Sequence, residues 1–113
     1  MIEKAYNAGI NFFDTADGYS NGESERILGK AIQQFNMGRS RIVVATKVFF
    51  PVADQVSTNL LGGHDCSQNP VLVNRYGLSR KHIFDAVDAS LERLQLDYID
   101  LYQVRHVCHF NCM

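Results

Sequence analysis

Apolar positions along this chain recur with a helical period in three stretches and as short continuous runs in the intervals between them. Ile2, Ala5 and Tyr6 fall at i, i+3 and i+4, one stripe of a first helix, and Gly9 stands where a left-handed residue would close it. Residues 10–15 then read as a strand. Ser20 with Glu23 three places later gives a capping-box pattern, after which Ile27, Leu28, Ala31, Ile32 and Phe35 share a face and Gly38 stops the helix. Residues 41–47 hold the unbroken apolar run Ile42-Val-Val-Ala45, the pattern of a parallel strand covered on both faces. Ser79 opens a third helix, with Leu78 placed to staple onto Ile83, and Ile83, Ala86, Val87, Leu91 and Leu94 keep the spacing. Residues 98–104 read as a third strand.

The order α-β-α-β-α-β predicts an α/β fold with about three parallel strands and right-handed crossovers. Residues 48–78 break the pattern. They carry Gly62-Gly63, Pro51 and Pro70 and no sustained period, so they read as a long loop leaving a strand end, where a substrate lid would sit. An open doubly wound sheet and part of a closed (β/α)₈ barrel share this order. No G-x-G-x-x-G follows any strand, so the dinucleotide fingerprint of the open sheet is missing.

Composition narrows the classes further. The 113 residues are 46% hydrophobic and 20% charged, which suits one globular unit rather than a disordered chain. A formal net charge of −1 without a Lys/Arg block gives no electrostatic case for nucleic acid or an anionic membrane. No apolar run approaches the ~20 residues of a membrane helix, and Met1 leads straight into a helix pattern, so the expected location is cytoplasmic. The three cysteines, Cys66, Cys108 and Cys112, are too few for a disulfide scaffold and read as reduced thiols.

The residues at the strand ends carry the chemistry. Gly9-Ile-Asn-Phe-Phe-Asp-Thr-Ala-Asp-Gly-Tyr19 with Gly22-Glu-Ser-Glu25, then Ala45-Thr-Lys47, then Ser90 to Gln103, resemble three ordered blocks of the aldo-keto reductase family. The loop start Lys47-Val-Phe-Phe-Pro51 is most similar to aryl-alcohol-dehydrogenase-like members. The resemblance implies a partial (β/α)₈ TIM barrel over residues 1–104 and NADPH-dependent reduction of a small aldehyde or ketone. By motif position Asp14, Tyr19 and Lys47 match three of the family's four catalytic residues, Asp14 and Tyr19 also lining the nicotinamide end of the cofactor. The physical logic stands beside it. Hydride delivery to a carbonyl leaves charge on oxygen that needs a placed proton donor. A free phenol ionises near pH 10, and a nearby ammonium favours its anion.

The fourth residue, a histidine, departs from the pattern. Arg105 holds the expected position and His106 comes one place late, where strand alternation turns it to the opposite face unless a bulge re-aims it. Residues 105–113 diverge from the family. His106, Cys108, His109 and Cys112 are too tightly spaced for the usual zinc patterns, and no metal is expected. His64 and His82 read as solvent-exposed. A full barrel needs ~250 residues, so most of the cofactor-binding half is expected to be absent from this chain. The alternative to an enzyme is therefore an inactive fragment or a non-catalytic regulatory or interaction protein. Oligomeric state is not legible.

Overall fold

The computed structural model describes residues 1–54 and 70–104 and centres on a three-stranded parallel sheet. His64 and Cys66, and the tail with Arg105, His106, Cys108, His109 and Cys112, lie outside the described residues. In chain order the elements are α1 (Ile2–Asn7), β1 (Phe12–Asp14), α2 (Glu23–Gln34), β2 (Val43–Val48), α3 (Arg80–Leu94) and β3 (Leu101–Val104). Between β2 and α3, the described residues contain one regular piece, the 3₁₀ turn Pro70–Leu72.

The strands lie in the order β1-β2-β3, as the alternation of elements predicts. Asp14 pairs with Ala45, Ala45 with Leu101, and Lys47 with Gln103. Side chains alternate faces along a strand, so Phe12, Asp14, Val43, Ala45, Lys47, Leu101 and Gln103 share one face. Phe13, Val44, Thr46, Val48 and Tyr102 share the other. Helices α2 and α3 cover that second face, where Leu28, Ile32, Met37, Ile42, Val44 and Leu94 form the core. The first face is the one a closed barrel would turn inward.

The two helices touch closely at Gly29. A Cβ there would lie 2.3 Å from the Leu94 carbonyl oxygen, a backbone atom that cannot swing aside. Gly29→Ala is expected to cost about 1–3 kcal/mol through overpacking, read as a lower thermal midpoint.

Four local expectations are corrected. Helix α2 does not begin at a Ser20 cap. Its N-cap is Gly22, without a side-chain cap bond, because Ser20 (φ 49°), Asn21 (φ 50°) and Gly22 (φ 86°) wind left-handed in succession. Gly38 (φ −57°) does not stop the helix either; Asn36 (φ 48°) takes the left-handed place. In α3 the Ser79 cap is present, accepting from the His82 amide at 3.1 Å. Its buried stripe, however, is His82, Ala86, Ser90 and Leu94, while Ile83, Val87 and Leu91 are half-buried. His82 is therefore buried rather than solvated. Burial holds its pKa below the ordinary imidazole value, Asp85 opposing and Arg75 assisting.

At the opposite end of the sheet from the strand C-termini, Arg39 ties the stretch leading into β2 to the stretch leading into β3. Its guanidinium donates to Asp100 Oδ2 (2.6 Å), the Tyr98 carbonyl (3.0 Å) and the Ile42 carbonyl (3.1 Å), and lies 3.7 Å from the Tyr98 ring centroid. Asp100 Oδ2 also accepts from the Val44 amide at 2.8 Å. Burial pushes the Asp100 pKa up, but the Val44 amide and Arg39 outweigh it, and the net shift is below the usual carboxylate value. A depressed carboxylate contributes stability above its unfolded pKa and loses it as pH falls through the folded one. Wild-type stability should therefore drop more steeply below about pH 4 than that of Asp100→Asn, measured by urea unfolding across pH.

Candidate active site

Strand β1 ends at Asp14, and its backbone keeps pairing with β2 beyond that point. The Thr15 amide donates to the Ala45 carbonyl (2.9 Å) and the Asp17 amide to the Lys47 carbonyl (3.2 Å). This continuation holds the start of the loop against the end of β2. Lys47 then bridges the two strands. Its Nζ donates to Asp14 Oδ2 at 2.6 Å and to the Thr15 carbonyl at 2.9 Å. The lysine side chain is 16% exposed and the aspartate 47%, so the pair sits at a mouth open to solvent.

Tyr19 comes from the loop. A turn bond from its amide to the Ala16 carbonyl (3.2 Å) and one from the Ser24 amide to its own carbonyl (3.4 Å) fix its backbone. Thr15 Oγ1 and Ser24 Oγ, 2.7 Å apart, close the loop at its base, and Asn21 Oδ1 accepts from the Ala53 amide of the next loop (3.2 Å). The half-buried phenol ring lies with its centroid 5.3 Å from Lys47 Nζ. The three residues that the strand ends singled out are thus gathered at one end of the sheet.

A second phenol, Tyr102, stands in register with Thr46 on β2 but on the helix side. Burial, together with the charges of Asp17 and Glu25, raises its pKa far above the ordinary phenol value, Arg93 opposing. Its buried hydroxyl has no hydrogen-bond partner among the described residues. It is held protonated, away from the mouth.

The site also contains a residue that the sequence motifs did not single out. Gln103 on β3 donates from Nε2 to Asp14 Oδ1 at 2.9 Å. On the opposite face Glu25 is fully buried, accepting from Thr46 Oγ1 and from Arg93 Nε, each at 2.6 Å. Arg93 donates further to Ser90 Oγ at 3.2 Å. The sequence signal for this network was the pair of polar positions, Glu25 and Ser90, on otherwise apolar helical faces.

Residues 1–109 match the family model of the aldo/keto reductases. The chain belongs to the aldo/keto reductase family. It is 48% identical to the versiconal hemiacetal acetate reductase of Aspergillus parasiticus, over 95% of this chain and 31% of that protein. A candidate aryl-alcohol dehydrogenase of Schizosaccharomyces pombe is 45% identical over 92% of this chain and 30% of its own length. Among solved structures, the holo form of an aldo-keto reductase from Bacillus halodurans superposes with a TM-score of 0.64 at 33% identity, covering 91% of this chain and 28% of that one. This aldo/keto reductase chain thus spans roughly a third of the length of these relatives, and its three βα-type strands correspond to part of their barrel.

Proposed function

We propose that this chain carries the proton-donating side of an NADPH-dependent carbonyl reductase site, which turns an aldehyde or ketone into an alcohol in the complete protein. The observation that carries the reading is the meeting of an acid, an amine and a phenol at one strand end, with Asp14 and Lys47 separated by 33 residues along the chain. The face beside them fits the nicotinamide end of the cofactor: Asp14 and Lys47 are polar, Ala45 is small, and Phe12 and Leu101 offer exposed apolar flanks. Asp14 and Tyr19 would line that end, and when bound the dinucleotide supplies the hydride.

The chain's own residues do the rest. Tyr19 gives its phenolic proton to the carbonyl oxygen as negative charge builds there. The Lys47 ammonium stabilises the charge left on the phenol oxygen. Asp14 and the Thr15 carbonyl hold that ammonium in place. The near-neutral net charge offers no electrostatic draw toward nucleic acid or an anionic membrane. No helix among the described residues is long and apolar enough to cross a membrane.

The test is NADPH-coupled reduction of an aromatic aldehyde by the complete protein and by its Tyr19→Phe variant. Loss of turnover in the variant is expected, and an unchanged rate would overturn the assignment. A second reading, that the 113-residue chain alone is catalytically silent, is favoured by the exposure of Phe12 (50%) and Leu101 (43%), which face nothing across the sheet among the described residues. Saturable NADPH binding by the isolated chain, followed by cofactor fluorescence, would count against it.

A further inference from the structure

We propose that Gln103 is a positioning residue for the candidate site: its amide locks the Asp14 carboxylate so that Lys47 is presented to Tyr19. The inference rests on the functional reading above but names a residue which that reading does not use.

A carboxylate accepts only, so the contact has one polarity, Gln103 Nε2 donating to Asp14 Oδ1 at 2.9 Å. The other oxygen, Oδ2, is taken by Lys47 Nζ at 2.6 Å. Asp14 is thereby gripped on both oxygens by two residues that are themselves register partners on neighbouring strands. One bond alone leaves a half-exposed carboxylate free to turn about its last torsion; two bonds on different oxygens fix the plane. The grip also requires reach. Asp14 and Gln103 sit on strands separated by β2, about 9–10 Å apart between strand axes. Ala45 lies in register between Asp14 and Leu101, and its single methyl leaves the space over β2 through which the two side chains meet.

The consequence falls on Lys47. Its remaining anchor is the Thr15 carbonyl at 2.9 Å. If the carboxylate plane is released, the ammonium can follow either oxygen away from the Tyr19 ring. Gln103→Glu makes a sharper change. It places a second carboxylate beside Asp14 and directly opposite Lys47 in register, so the ammonium is drawn toward β3 while the two acids repel.

The primary experiment reads this placement by NMR in the 113-residue chain, through the nuclear Overhauser effect between the Lys47 ε-methylene and the Tyr19 ring, with circular dichroism to check the fold. The expected result is a cross-peak weakened about threefold in Gln103→Leu and more in Gln103→Glu at pH 7, with the Asp14 carboxyl carbon resonance displaced in both. Wild-type cross-peaks and an unmoved Asp14 resonance in both variants would overturn the proposal, whether or not the chain turns substrate over. In the complete protein the same variants should lower kcat about tenfold and leave KM within about twofold, since substrate binding is untouched. The two readings fail separately. If Tyr19→Phe abolishes reduction while both Gln103 variants keep the parental kcat, the positioning role is wrong and the proposed function stands. If reduction is indifferent to Tyr19→Phe while the cross-peaks weaken as described, Gln103 orders the cluster and the proposed function is wrong.

Discussion

A Tyr19→Phe variant of the complete protein is expected to fold as its parent does and to reduce an aromatic aldehyde about 10²–10⁴-fold more slowly, the range removed with a positioned acid. The fold should survive because the position of Tyr19 is set by main-chain bonds to Ala16 and Ser24, which the substitution leaves intact. The loss should appear in kcat, because in the role proposed for Tyr19 the hydroxyl acts as charge develops on the carbonyl oxygen rather than when the substrate binds. Tyr102→Phe supplies the control. That phenol faces α2 and α3, and its raised pKa keeps its proton in place. Its removal should leave turnover within about twofold. A Tyr102 variant that lost activity while the Tyr19 variant kept it would reverse the assignment of the two faces.

Glu25→Ala is expected to destabilise the fold by about 3–5 kcal/mol, the usual cost of removing one partner of a buried ion pair. Glu25 is fully buried, and the Arg93 side chain that it holds is 10% exposed. Without the carboxylate the guanidinium is left uncompensated and the Thr46 hydroxyl loses its acceptor. Urea unfolding followed by circular dichroism measures the difference. Replacing both charges, Glu25→Met with Arg93→Met, should recover most of the loss, because two apolar side chains leave no buried charge behind. The damage should also be visible at the mouth. Thr46 immediately precedes Lys47 on β2 and points the other way, so the network that fastens one residue to the helices steadies its neighbour above the sheet.

The sequence made the sheet legible wherever burial follows simple periodicity. Ile42 to Ala45 is apolar without interruption because β2 is the central strand of the sheet, and its parallel pairing follows from helices too long to be hairpin turns. The meeting of Asp14 and Lys47 was legible for the same reason, since consecutive parallel strands end at the same side. Helix faces were read less well. The α3 stripe lies one step from the apolar residues because Ser90 turns inward to Arg93, and Ala86 and His82 follow it at intervals of four. The start of α2 was missed because a left-handed run lets backbone, not a serine side chain, begin the helix. Gln103 was invisible for a different reason. Its contact depends on register across two strand pairs and on the smallness of Ala45, neither of which a linear motif records.

The three successive left-handed residues that follow Tyr19 give the loop a tightly coiled backbone, and Ser20 and Asn21 occupy it without the freedom of glycine. The phenol is thus aimed by the chain's own winding before any ligand arrives. If Tyr19 is the proton donor proposed above, a substrate entering the mouth should find it waiting and need not recruit it. An exchange of residues 20–22 for a floppy polyglycine segment would then keep every reactive group and still slow the reaction, by handing the task of alignment back to chance.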